Sequence, residues 1–169
     1  MFDRKSIGKL LKSQAIELGA CQQGIDRLEE LNEQELINRY IHFIDFVLEH
    51  DYPSNELIKA NFDRELLHKN NIYVDEYVER RNARAAVVIQ GHCTGQLMYD
   101  SWTTSDVYVR HDSELIIDCS RFCKVFISVY DNAKVKVIQR DGSTVYVYKH
   151  GHNCEVETEG EVMIRESGV

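Results

Sequence analysis

Two periodicities divide the chain. Through residue 69, apolar side chains return every three or four positions. They fall at Ile7, Leu10, Leu11, Ala15 and Leu18, then at Leu36, Ile37, Tyr40, Ile41, Ile44, Val47 and Leu48. That spacing lays a stripe along one face of an α-helix. Gly19 ends the first helical stretch, and CQQGIDRLEEL (21–31) is a second, shorter candidate. Asn32 with Glu35 three residues on forms a capping-box pattern that starts a helix over 33–50. The sequence Asp51-Tyr52-Pro53-Ser54 breaks it, because proline disfavours the helical conformation at the residue before it. SNELIKANF and DRELLHKN give further short helices. Helices this short, with such wide apolar faces, must pack on something.

Residues 70–84 change texture: NIYVDEYV reads as extended, and ERRNAR as a polar joint. From residue 85 the period becomes two, and one motif recurs: VVI at 87–89, VYV at 107–109, VFI at 125–127, VYV at 145–147 and VMI at 162–164. Polar turns carrying Asp112-Ser113, Asp131-Asn132 and Gly151-His152-Asn153 separate each triplet from a second alternating segment. An antiparallel sandwich also alternates, but repetition of a triplet at a near-constant interval is the signature of a stacked, quasi-one-dimensional fold. The expected fold class is therefore α+β, a helical N-terminal half packed on a short parallel β-solenoid of about five coils. Its parts are a helical domain (1–69), an extended joint (70–84) and the solenoid (85–169), with coils of about 18 residues. Aligning the triplets predicts one inner column of Val87, Val107, Val125, Val145 and Val162, and a second of Ile89, Val109, Ile127, Val147 and Ile164. Leu97, Leu115, Val135 and Cys154 form the column on the facing wall.

Alternation sends the middle residue of each triplet outward. Val88, Tyr108, Phe126, Tyr146 and Met163 then make one exposed apolar row, roughly 19 Å long at about 4.8 Å per coil. Such rows are covered, either by the helices of 1–69 or by a partner or second copy. Near the end, Glu155, Glu157, Glu159 and Glu161 alternate into an acidic ridge that either protects an edge or meets a basic surface. Arg80, Arg81 and Arg84 crowd the joint, as a solvated linker or as phosphate contacts, and Arg110 follows in the solenoid.

Charge narrows the partners. The chain of 169 residues has 20 basic and 28 acidic side chains, a formal net charge of −8 shared equally between the halves. Non-specific nucleic-acid binding runs on phosphate neutralisation, so this balance disfavours it and favours a basic protein. No apolar run reaches the roughly 20 residues that span a bilayer, and MFDRKSIGKLLKSQ lacks the apolar core of a secretory signal. The expected location is the cytoplasm, with no membrane contact. Five cysteines, an odd number, then read as reduced and partly buried. His150, His152 and Cys154 are zinc-type ligands at a spacing that matches no standard motif, so neither a metal nor a cofactor is expected. No nucleophile elbow or glycine-rich phosphate loop is present, and catalysis is not expected.

The V-x-V/I triplets of 85–166 resemble the short β-solenoid core of bactofilin-type polymerising proteins, which lack a long helical front half. ELGACQQGI, YPSNELIKANF and NIYVDE with VYVRHDS resemble uncharacterised proteins of bacteria and their phages or mobile elements. That resemblance implies a phage-type accessory protein, a group in which small acidic inhibitors of nucleic-acid-based defence, anti-CRISPR proteins included, are common. The leading expectation is a non-enzymatic binding module whose Tyr108, Phe126, Tyr146, Met163, Glu155, Glu157 and Glu159 meet a basic nucleic-acid-handling protein or a protein–RNA complex. One alternative is a self-assembling scaffold that stacks end to end through a last coil with no obvious cap. The other is RNA binding through Arg80, Arg81, Arg84, Arg110 and the tyrosine row.

Overall fold

Among residues 4–167, which the computed structural model describes, six α-helices precede eleven β-strands. The chain divides into two compact units, with the boundary between Leu67 and His68.

The helical unit follows the 3.6-residue pattern closely. Helix α1 spans Arg4–Glu17, α2 Gln22–Ile25, α3 Glu33–His42, α4 Ile44–His50, α5 Asn55–Asn61 and α6 Arg64–Lys69. The capping box forms as the sequence requires. Asn32 Oδ1 accepts from the Glu35 N–H at 3.0 Å, and Glu35 Oε2 accepts from the Asn32 N–H at 2.8 Å. Ile7, Leu11, Leu28 and Leu36 form the core, with Tyr52, Leu57 and Phe62 packed against it. Tyr52 donates its hydroxyl to the Leu11 carbonyl at 2.6 Å. The expected single helix over 33–50 is instead two, divided at Phe43 (φ −105°, ψ 34°). The weak helix formers Ile41, His42, Phe43 and Ile44 are concentrated at that break.

The second unit is a parallel β-solenoid. Strands β1 (Ile72–Val74), β3 (Ala85–Gln90), β5 (Thr104–Val109), β7 (Lys124–Tyr130), β9 (Thr144–His150) and β11 (Val162–Ser167) form one sheet in that order. Strands β2 (Tyr77–Arg81), β4 (Thr94–Tyr99), β6 (Glu114–Cys119), β8 (Lys134–Gln139) and β10 (Glu155–Glu159) form the other. Every ladder is parallel. The expected linker of 70–84 is thus the first coil: β1 pairs with β3 and β2 with β4.

The register corrects the expected columns. Val107 lies opposite Ile127, and Val125 lies opposite Ser105. The inner column runs Val87, Val107, Ile127, Val147, Ile164, so the interior coils are 20 residues long and the last step is 17. The triplets of β5 and β7 are therefore offset by two positions. On the facing wall Leu97 stacks on Ile117 and Val137, while Leu115 stacks on Val135 and Val156. Cys154 occupies a corner instead. Main-chain hydrogen bonds place Cys93, Ser113 and Ala133 at the equivalent corner of earlier coils. All four are nearly inaccessible, as a tight corner between two inner walls demands. The corner just before it repeats a left-handed backbone at Gly91, His111, Asp131 and Gly151, each 20 residues after the last. At Gly95 (φ +137°) an added Cβ would lie 1.9 Å from the Val78 carbonyl oxygen, so only glycine fits between those two coils.

The two ends of the solenoid differ. In the first coil Tyr73 takes the inner position opposite Ile89 and is buried, stacked on His68 at 5.1 Å. At the other end, Lys149 in β9, Thr158 in β10 and Glu166 in β11 take register positions that are apolar in earlier coils, while Val162 and Ile164 keep the inner wall apolar and Ile164 is 44% exposed. The inner wall of β11 is thus mixed, with Val162 and Ile164 apolar and partly open beside the exposed Glu166. Gln139 bridges the shortened final turn, its Oε1 accepting from the Glu161 N–H at 2.8 Å.

Candidate functional site

The two-residue offset splits the expected apolar row. Phe126, Tyr146 and Met163 share one outward column, which begins with Ala86 and Asp106. Tyr108 belongs to the next column, between Val88 and Ser128, followed by Tyr148 and Arg165. Val88 is fully buried, Tyr108, Phe126 and Tyr146 are half-buried, and Met163 is exposed. A third outward column pairs Tyr130 with His150 and then Ser167.

Ring geometry decides what this wall offers. Phe126 and Tyr146 stack with centroids 5.2 Å apart and planes 9° from parallel. Tyr130 and His150 do the same at 4.2 Å. These rings turn their faces to one another along the solenoid axis. Lys124 Nζ lies 5.2 Å from the Phe126 centroid, a cation–π contact. Base stacking requires free ring faces, so the paired rings here support the sheet more than they offer a platform. His150 also meets Ser167 Oγ at 2.8 Å through Nδ1, and burial lowers its pKa from the ordinary 6.5.

The acidic ridge is partly answered by lysines on the strand beneath it. Lys134 lies 3.6 Å from Glu114 and 4.0 Å from Glu155. Lys136 lies 3.6 Å from Glu157 and 2.8 Å from Glu159, and these carboxylates raise its pKa, Glu159 foremost. Four glutamates face two lysines, and the wall keeps an excess of negative charge. All three glutamates of β10 are exposed.

The four arginines do not form one site. Arg81 is committed to Asp100, which receives both its Nε (3.1 Å) and an Nη, while Asn82 donates to the same carboxylate at 2.7 Å. Arg80 is exposed in β2, opposite Leu97 in register. Arg84 is exposed just beyond that strand. Arg110 is buried at the opposite corner of the coil, 3.9 Å from Asp131.

The thiols and imidazoles do not converge either. Cys93, Cys119, Cys123 and Cys154 are all buried, and Cys21 is exposed. The hydrogen bond that the Cys119 thiol donates to Cys123 and burial together push Cys119 above its usual range, and burial pushes up Cys93. Cys154 points inward and its Sγ meets the Gly151 carbonyl at 3.6 Å, whereas His152 is exposed on the turn. Among the described residues no group of three or more His, Cys, Asp or Glu is arranged to hold a metal ion. No helix among them is long and apolar enough to cross a membrane.

Sequence reasoning missed one feature. Trp102 and Phe122, on turns between the two sheets, stack at 5.2 Å and 21° while remaining 77% and 61% exposed. Their separation of 20 residues is the signal that would have found them, shared with Phe126/Tyr146 and Tyr130/His150. No protein-family model, curated protein or solved structure matches this chain.

Proposed function

We propose that the protein is a non-enzymatic binding module whose solenoid presents a rigid acidic wall to a basic, nucleic-acid-handling protein. The observation that carries this reading is the charge on β6, β8 and β10. Glu114, Glu155, Glu157 and Glu159 outnumber Lys134 and Lys136 on adjacent, regularly spaced strands. A wall of this kind attracts and orients a basic partner at long range and weakens as salt screens it. Met163, with Phe126 and Tyr146 behind it, supplies apolar contact on the other wall of the last coils. The resemblance to phage and mobile-element accessory proteins suggests the partner's role. The module would inhibit a bacterial nuclease or RNA-guided defence complex, as anti-CRISPR proteins do. End-to-end self-assembly is the second reading, favoured by Val162 and Ile164, apolar inner-wall residues that stay partly open in β11, and opposed by the charged Glu166 beside them.

The test is affinity purification from a defence-carrying host, with the wild type beside an E155K/E157K/E159K variant. A basic nucleic-acid-handling protein retained by the first and released from the second, with tenfold or greater loss of affinity, supports the proposal. Equal retention by both refutes the acidic wall as the contact. Light scattering that gives filaments or a concentration-dependent dimer favours the scaffold instead.

A further inference from the structure

We propose that the solenoid corner carrying Trp102 and Phe122 is a seat for single-stranded nucleic acid, with a base stacked on the open face of Trp102 and phosphates held by Arg84 and Arg121. The inference is independent of the acidic wall. The starting point is an exposed ring carried on a left-handed corner. Phe122 sits at φ +62°, immediately after Arg121 at φ +53°. Left-handed backbone is costly for residues with a Cβ, and a ring that is 61% exposed recovers little of that cost by burial. One coil later the equivalent position is Gly142 (φ +80°), which turns the same corner without that strain. An added Cβ at Gly142 would lie 3.3 Å from the Phe122 ring, so the glycine also makes room for that ring to lie flat. Phe122 thus stays on the surface at a left-handed corner, with Gly142 leaving room for its ring.

The stack is open at one end only. Phe122 has Gly142 on one face and Trp102 on the other. Among the described residues no second ring or cation lies against Trp102. A planar group entering there extends an existing stack, which is how aromatic side chains take up unpaired bases.

Charge around the seat favours a phosphate backbone. Arg81, Arg84, Arg121 and Arg140 line this edge, against Asp100, Asp118 and Asp141. Arg81 is paired with Asp100, and Arg140 with Asp118 at 2.9 Å. Arg84 and Arg121 are exposed, and Arg121 acts on Asp100 only at longer range, behind the hydrogen bonds that Asp100 takes from Arg81 and Asn82. The net charge of −8 opposes any polyanion, but the densest negative charge is distant. Strand β10 is three strand spacings from β4 and two from β6, about 14 and 10 Å along the axis, against a screening length of about 8 Å at physiological salt. This site differs from the expected RNA set: it keeps Arg84, leaves Arg81 to Asp100, discards Arg80, Arg110 and the tyrosine row, and adds Trp102, Arg121 and Phe122.

Trp102 is the only tryptophan in the chain, so its fluorescence reports the seat directly. Titrating the full chain with a 12-nucleotide single-stranded uridine or thymidine oligomer should quench emission saturably, and an equal duplex should not. Two phosphate contacts predict a slope of about −1.4 in log affinity against log salt. R84E/R121E leaves the stack intact and should flatten that slope and weaken binding by tenfold or more. In filter binding, W102A should lose at least about fivefold, the smaller effect of removing one stacked base. Absence of quenching at low salt overturns the proposal, as does unchanged filter binding by W102A with an unaltered melting curve. Capture of a protein that W102A releases, with no oligomer bound by the wild type, overturns it in favour of a protein-docking edge.

Discussion

If the interior coils are 20 residues long, Thr104 and Lys124 are direct neighbours on adjacent parallel strands, whereas Asp106 and Lys124 are offset by two residues. Neighbouring strands are about 4.8 Å apart and each residue advances about 3.3 Å, so the offset pair is separated by about 8 Å. A disulfide needs Cα atoms closer than about 7 Å. All three side chains are exposed, so cysteines there do not disturb the core. In a background lacking the exposed Cys21, T104C/K124C should oxidise to an intramolecular disulfide in air, and D106C/K124C should stay reduced. Peptide mapping of the oxidised proteins distinguishes them. The closed loop of about 20 residues should also raise stability by about 3 kcal/mol, read from urea unfolding with and without reductant. An 18-residue coil makes the opposite prediction, because it would set Asp106 beside Lys124. Crosslinking of D106C/K124C with T104C/K124C left free would refute the register and every column built on it.

Four further changes follow from the same geometry. Ile127→Ala removes a fully buried side chain from the centre of the inner column and should cost about 2–5 kcal/mol in denaturant unfolding, against under about 0.5 kcal/mol for Thr104→Ala on the exposed face. Gly95→Ala meets the Val78 carbonyl and a forbidden φ together, and should lower stability by upwards of about 2 kcal/mol; a thermal midpoint equal to wild type would contradict the close coil approach. Lys136→Glu sets a third carboxylate beside Glu157 and Glu159 and should lower the urea midpoint slightly at low salt, an effect that vanishes in high salt. His150 has a folded pKa below the 6.5 of the free imidazole, so the unfolded chain binds the proton more readily; its contribution to stability is present above pH 6.5 and is lost as pH falls through the folded value. Comparing urea midpoints at pH 7.5 and 5, His150→Phe should lose less on acidification than wild type, and an equal loss would refute the assignment.

The solenoid was legible because alternation fixes which side of a strand each residue faces, and it holds through β5, β7 and β9 whatever lies opposite. The register was not legible from the same pattern. A slip of two residues preserves every inward and outward assignment and exchanges Val125 for Ile127 beneath Val107, two residues that fill the column almost equally well. What distinguishes the registers is chemistry that tolerates no exchange. Left-handed corners recur at 91, 111, 131 and 151, and Asp131 must lie beside His111 to accept its N–H at 2.9 Å. Aromatic pairs recur at the same interval, because parallel rings stack only when their strands are in register. Read from those residues, the coil length of 20 is written in the turns and the rings more firmly than in the valines.

The acidic ridge was legible for the same reason, and its neutralisation was not. Glu155, Glu157 and Glu159 alternate within one five-residue strand, but Lys134 and Lys136 reach them only through the ladder between β8 and β10. Trp102 and Phe122 pose the converse case, since each alone is an unremarked surface ring on a turn. Only the coil brings them face to face, and only comparison with Gly142 shows that Phe122 holds a strained backbone. In a stacked fold, core and walls follow from local alternation, whereas anything built from two coils depends on the interval between them. Both proposed contact surfaces are of that second kind, so the disulfide test of the interval bears on each of them before any partner is found.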